Sequence, residues 1–106
     1  MSEIKALLCC GAGFSSGFLA QKTRKAAKKR KVDVSVEAKS ESVVTESLGQ
    51  FDVLLIGPHY ESALNRLTEQ CAPFGAKVAL IPADIYAALD GDKLLDVILG
   101  LVGQES

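Results

Sequence analysis

Apolar and polar positions along the chain follow two rhythms, and their alternation sets out the fold. Ile4 to Cys10 is a short, largely apolar run that enters Gly11-Ala12-Gly13, the pattern of a buried strand opening into a glycine loop. From Ser16 to about Arg30, Leu19, Thr23, Ala26 and Ala27 recur at helical spacing with charges between them, which predicts a first helix. Val32, Val34 and Val36 alternate with Asp33, Ser35 and Glu37, so the second strand has one buried face and belongs at a sheet edge. Glu41 to Leu48 reads as a short, weakly patterned helix stopped by Gly49. Val53-Leu54-Leu55-Ile56 is a third strand ending at Gly57-Pro58, and Tyr60, Leu64, Leu67 and Cys71 mark one face of the helix after it. Val78-Ala79-Leu80-Ile81 is a fourth strand before Pro82, and Leu94, Val97, Ile98 and Leu101 trace a C-terminal amphipathic helix.

Strands that alternate with helices and lack polar alternation call for a parallel sheet covered on both faces by right-handed crossovers. The expected fold is therefore a small doubly wound α/β domain with four parallel strands in the flavodoxin-like order 2-1-3-4. In such sheets sites form beyond the carboxyl ends of the strands, where the strand order reverses. Here that point lies beside the first strand and its glycine loop. With 106 residues, the chain is expected to form a single domain over 1–106, since either half alone is too small for a core of its own.

Composition narrows the function. Apolar residues make up 48% and charged residues 24% of the chain, as in ordinary globular proteins. A formal net charge of -1 argues against nucleic acid as the partner. No apolar run approaches the ~20 residues needed for a membrane span, and the N-terminus lacks a secretory leader pattern, so a cytoplasmic location is expected. Cys9, Cys10 and Cys71 are an odd set with two adjacent members, which suits free thiols in a reducing compartment better than disulfides or a zinc site. No metal or organic cofactor is implied.

The chemistry concentrates in Cys10-Gly11-Ala12-Gly13-Phe14-Ser15-Ser16-Gly17, which leaves a strand and opens a helix. Small residues let the backbone curl so that successive N–H groups converge, and the helix N-terminus adds partial positive charge. Ser15 and Ser16 add hydroxyl donors, and a thiolate at the mouth of such an anion cradle is stabilised by the same field. Strand alternation packs Cys9 and leaves Cys10 as the nucleophile.

The stretch Leu7-Leu8-Cys9-Cys10-Gly11-Ala12-Gly13-Phe14-Ser15-Ser16 resembles the opening of enzyme IIB proteins of the lactose/cellobiose/chitobiose class of the sugar phosphotransferase system. Leu54-Leu55-Ile56-Gly57-Pro58 is similar to that family's turn after its third strand, and Ile85-Tyr86 with Asp90-Gly91 extends the likeness over nearly the whole chain. His59 stands where the family usually has Gln, and Gly17 where a polar residue is common. The resemblance implies that Cys10 is a phosphocysteine intermediate and that Gly11 to Gly17 hold its phosphate. It also implies a IIA protein as phosphohistidine donor and a membrane IIC protein that binds the acceptor sugar, with no nucleic acid partner.

Two other uses of such a loop stay open on the residues alone. Low-molecular-weight tyrosine phosphatases share the strand–cysteine–loop arrangement, but need an Arg at the sixth position after the cysteine, where this chain has Ser16. Flavin or phosphate-ligand modules use the same sheet edge, yet no Gly-Lys-Ser/Thr follows the glycines. Outside the loop, His59 and Tyr86 are candidate accessory residues on the same edge, and Cys71 is expected in the core. The basic run Lys22, Arg24, Lys25, Lys28, Lys29, Arg30 and Lys31 is either a solvated face or a docking surface for an acidic partner.

Overall fold

In the computed structural model, which describes residues 3–9 and 14–103 and only the backbone of residues 14–16 and 59, four strands form one parallel sheet. The strands are β1 (Ile4–Cys9), β2 (Val34–Ala38), β3 (Val53–Ile56) and β4 (Lys77–Leu80), in the order β2-β1-β3-β4. This is the expected order, with β2 at an edge. Leu8 lies opposite Ala38 and Leu55, Cys9 opposite Ile56, and Ile56 opposite Leu80, so β1, β3 and β4 end nearly level.

Helices cover both faces. Against one face pack α1 (Phe14–Lys29), α4 (Ala83–Ala88) and α5 (Gly91–Leu101), where Leu19, Ile85, Leu94 and Ile98 meet Ala6 and Leu8 of β1. Against the other lie α2 (Glu41–Glu46) and α3 (Leu64–Cys71), where Val44, Leu67 and Cys71 meet Leu7 and Cys9. Burial on both faces is why β1 and β3 lack polar alternation, whereas β2 shows Ser35 and Glu37 on its open side.

Several boundaries differ from the sequence expectations, each for a local reason. Helix α1 starts at Phe14 rather than Ser16, because nothing between Gly13 and Gly17 stops helical hydrogen bonding. Strand β2 starts at Val34 rather than Val32. There Lys31 takes the left-handed conformation (φ 57°) and closes α1, with Val32 N–H bonding to Ala27 O at 3.0 Å and Lys31 N–H to Lys28 O at 3.2 Å. The helix expected directly after Pro58 begins instead as a 3-10 turn, Pro58–Ala63, with Tyr60 in a non-helical conformation, and becomes α-helical only from Leu64. Helix α4 was outside the expectation altogether. It is a turn and a half of chain that buries Ile85 alone, too short to show a period in the sequence.

The exposed edge of the sheet is partly closed by a helix. Arg24 of α1 reaches across to donate to Val36 O at 2.8 Å, occupying one of the outward carbonyls of β2.

Candidate functional site

Strand β1 ends at Cys9 and α1 begins at Phe14, so the chain between them leaves the sheet at its carboxyl edge. Cys10, Gly11, Ala12 and Gly13 lie outside the described residues. Phe14 and Ser15, expected before the helix, join Ser16 and Gly17 in the first turn of α1. The expected cradle is thereby divided into a short connection and a helix N-terminus, whose first N–H groups have no partners within the helix and carry its partial positive charge. A β-carbon at Gly17 would meet nothing within 4 Å, so this glycine answers no packing demand.

The turn after β3 lies beside the end of β1. Gly57 N–H donates to Cys9 O at 2.9 Å, tying the turn to the residue that precedes Cys10. Tyr60 N–H then donates to Gly57 O at 2.9 Å. His59 belongs to this 3-10 turn, which follows β3 at the carboxyl edge of the sheet. Tyr86 comes from a different connection. It lies on α4 after β4, with β3 between β4 and β1, half-buried against the α1–α5 side of the core.

Cys9 is packed, as strand alternation predicts, and Cys71 lies in the core, as its helix-face spacing predicts. Cys9 is 1% exposed, and Cys71 is fully buried. Burial pushes the Cys71 thiol up from its ordinary pKa, leaving it protonated and unreactive near neutrality.

One cluster at this edge has no signature in the sequence pattern. Glu41, in the first turn of α2, accepts a hydrogen bond from the Tyr60 hydroxyl and is gripped by Arg66 of α3, with Nε to Oε2 and Nη2 to Oε1 both at 2.8 Å. The Tyr60 bond and then the Arg66 bonds hold the Glu41 carboxyl below the usual carboxylate range, while the same bond to Glu41 pushes the Tyr60 hydroxyl up. The three side chains come from separate elements, and only the fold joins them. Tyr60 follows the motif turn directly, but its spacing marks it as a helix-face residue.

Among the described residues, no helix is long and apolar enough to cross a membrane.

Comparison with known proteins agrees with this geometry. The family model described as "PTS system, Lactose/Cellobiose specific IIB subunit" matches residues 5–97. The galactose-specific EIIB component of the phosphotransferase system (PTS) of Lactococcus lactis subsp. cremoris is 29% identical over 100 residues, covering 90% of this chain and 93% of the relative. The cellobiose-specific EIIB component of Lactococcus lactis subsp. lactis matches to the same extent, 29% over 100 residues and the same 90% and 93% coverage. Among solved structures, the cellobiose-specific IIB component from Borrelia burgdorferi superimposes with a TM-score of 0.78 at 30% identity, covering 99% of this chain and 97% of that one. The lactose-specific IIB domain from Streptococcus pneumoniae shares the fold, with a TM-score of 0.86 at 20% identity and coverage of 94% and 98%. With the order β2-β1-β3-β4 and a cysteine at the carboxyl edge of β1, the chain belongs to the lactose/cellobiose-specific IIB family of the sugar phosphotransferase system.

Proposed function

We propose that Cys10 is the phosphoryl-carrying residue of this IIB protein. The observation that carries the assignment is its place in the chain, directly after the buried strand β1 and shortly before the N-terminus of α1. In the first step the Cys10 thiolate attacks the phosphorus of a phosphohistidine on a IIA protein. The S–P bond forms as the N–P bond breaks, and the imidazole departs. In the second step a sugar hydroxyl oxygen attacks that phosphorus, the S–P bond breaks, the thiolate returns, and the hydroxyl proton passes to solvent or a partner base.

Both steps depend on in-line placement and on neutralising charge at the phosphoryl oxygens. The backbone N–H groups of Gly11, Ala12, Gly13 and the first turn of α1, with the hydroxyls of Ser15 and Ser16, supply that charge stabilisation. A thiolate needs no separate general base, and neutral donors hold a phosphocysteine without the arginine clamp that speeds hydrolysis in phosphatases. The acceptor is a sugar of the lactose/cellobiose/chitobiose class presented by a membrane IIC protein. The chain acts as one cytoplasmic domain over 1–106, with His59 and Tyr86 as accessory contacts for the partners.

Incubation with phosphoenolpyruvate, the general phosphotransferase proteins and a cognate IIA, followed by intact mass, tests the assignment. One added phosphate in the wild type and none in Cys10→Ser is the expected result. Equal labelling of the variant would move the carrier elsewhere, with His59 the first residue to examine.

A further inference from the structure

We propose that Tyr60, fixed by Glu41 and Arg66, is a positioning residue for the Cys10 thiolate, an inference that rests on the phosphocarrier assignment above. The chain of contacts is short. Cys9 is joined to Cys10 by one peptide bond, and its carbonyl accepts from Gly57 N–H at 2.9 Å. Gly57 O in turn accepts from Tyr60 N–H at 2.9 Å. Tyr60 departs from helical geometry (φ -121°, ψ 28°) inside the 3-10 turn. Its hydroxyl donates to Glu41, joining the two β–α connections that flank β1's own.

Glu41 is itself immobilised. Arg66 holds both carboxylate oxygens, a planar fork that a single-point cation does not reproduce. The turn that grips the residue before the nucleophile is thus anchored to α2 and α3, on the face opposite α1. Phosphoryl transfer is sensitive to small displacements of the attacking atom, so slack in this anchor falls on the chemical step rather than on partner binding.

Two observations make the Tyr60 clamp a positioning device rather than ordinary surface packing. It reaches Cys9 through two backbone hydrogen bonds and not by proximity alone. Its members come from the connections after β2 and β3, the strands on either side of β1.

The experiment measures phosphoryl transfer from phosphorylated IIA to the full-length chain, over a range of donor concentrations, for wild type, Tyr60→Phe, Glu41→Gln and Glu41→Ala. Tyr60→Phe is expected to lower the rate at saturating donor by about tenfold with KM unchanged. Glu41→Gln keeps an oxygen acceptor for the Tyr60 hydroxyl and is expected to retain most of the rate, whereas Glu41→Ala should match Tyr60→Phe. A wild-type rate in Tyr60→Phe, or a loss confined to KM, overturns the proposal.

A second readout needs no donor. The pH dependence of Cys10 alkylation by iodoacetamide, with Cys10→Ser as control, reports the thiolate directly. The midpoint is expected to rise in Tyr60→Phe, because slack moves the thiolate from the amides that stabilise it. An unchanged midpoint also overturns the positioning role. If wild-type Cys10 takes no phosphate yet its alkylation midpoint responds to Tyr60→Phe, the carrier assignment fails while the coupling of Tyr60 to Cys10 stands.

Discussion

Gly91 of α5 lies against the backbone of Lys22 in α1 so closely that a β-carbon there would stand 2.4 Å from the Lys22 carbonyl carbon and 2.5 Å from its oxygen. Both contacts are with helix backbone, which cannot swing aside as a flexible side chain would. Helices α1 and α5 therefore cross at a point where only glycine fits. Asp90 before it caps α5, accepting from Lys93 N–H at 3.1 Å, so the Asp-Gly pair combines a helix start with a close crossing.

Gly91→Ala is accordingly expected to destabilise the protein by about 2–3 kcal/mol through overpacking. For a chain of this size, that lowers Tm by roughly 10–20 °C. Thermal and urea unfolding beside Gly100→Ala, which has nothing within 4 Å of its β-carbon position, separate crowding from helix propensity. Equal stability of Gly91→Ala and wild type would mean that α5 slides on α1 at little cost.

Lys31 offers the opposite case. It closes α1 in the left-handed conformation without being glycine, which strains an L-residue. Lys31→Gly should stabilise the chain by about 0.5–1 kcal/mol, the relief of that strain being partly offset by the greater freedom of glycine in the unfolded chain. Chemical denaturation midpoints at matched ionic strength provide the check, with Lys31→Ala as the charge control.

These two positions show what was legible beforehand and what was not. The parallel order, the edge placement of β2 and the burial of Cys9 and Cys71 follow from period-two alternation and from continuous apolar runs. Asp90-Gly91 was visible as a motif pair, but its reason, the approach of α1, is a contact across about 70 residues of chain that no local pattern encodes. The end of α1 was placed at about Arg30 without its cap, because a lysine gives no signal that it will turn left-handed. Glu41, Tyr60 and Arg66 were illegible for a related cause: a polar side-chain cluster has no period, and its members meet only after β2 and β3 have flanked β1.

The Glu41 clamp has a predictable pH signature. Its folded-state pKa is lowered below the unfolded value, so its contribution to stability is fully present above the ordinary carboxylate pKa and is lost as pH falls through the folded value. Tyr60 and Cys71 have raised values, so their contributions are complete below the ordinary phenol and thiol values and decline as pH rises through the folded ones. Unfolding free energy measured across acid pH should therefore fall less steeply for Glu41→Gln than for wild type. On the alkaline side, Cys71→Ala should flatten the thiol-range decline even though the cavity lowers its stability throughout. Parallel wild-type and variant curves at acid pH would show that the Glu41 bonds are not maintained in solution.

The exposed side of α1 carries the last expectation. Residues 14–32 contain no acidic side chain, and Phe18, Lys22, Lys25 and Lys29 fall within about 60° of one another around the helix, all of them exposed. The two arginines of the run are engaged, Arg24 with Val36 O and Arg30 with Asp96 at 2.8 Å, which leaves the lysines as the outward charge. Phe18, 61% exposed, stands at the N-terminal end of this row. A row of point charges leading to an exposed apolar anchor at the N-terminal end of α1 suits encounter with the acidic partner proposed as phosphoryl donor, and such charges act on the association rate. Lys22→Glu combined with Lys25→Glu should lower kcat/KM for transfer from phosphorylated IIA by about tenfold at low salt, with the rate at saturating donor unchanged. The difference should shrink as ionic strength rises past the point where the screening length falls to about 8 Å. A double variant with wild-type kcat/KM at low salt would make the row a solvated face and place the donor's docking surface elsewhere on the carboxyl edge.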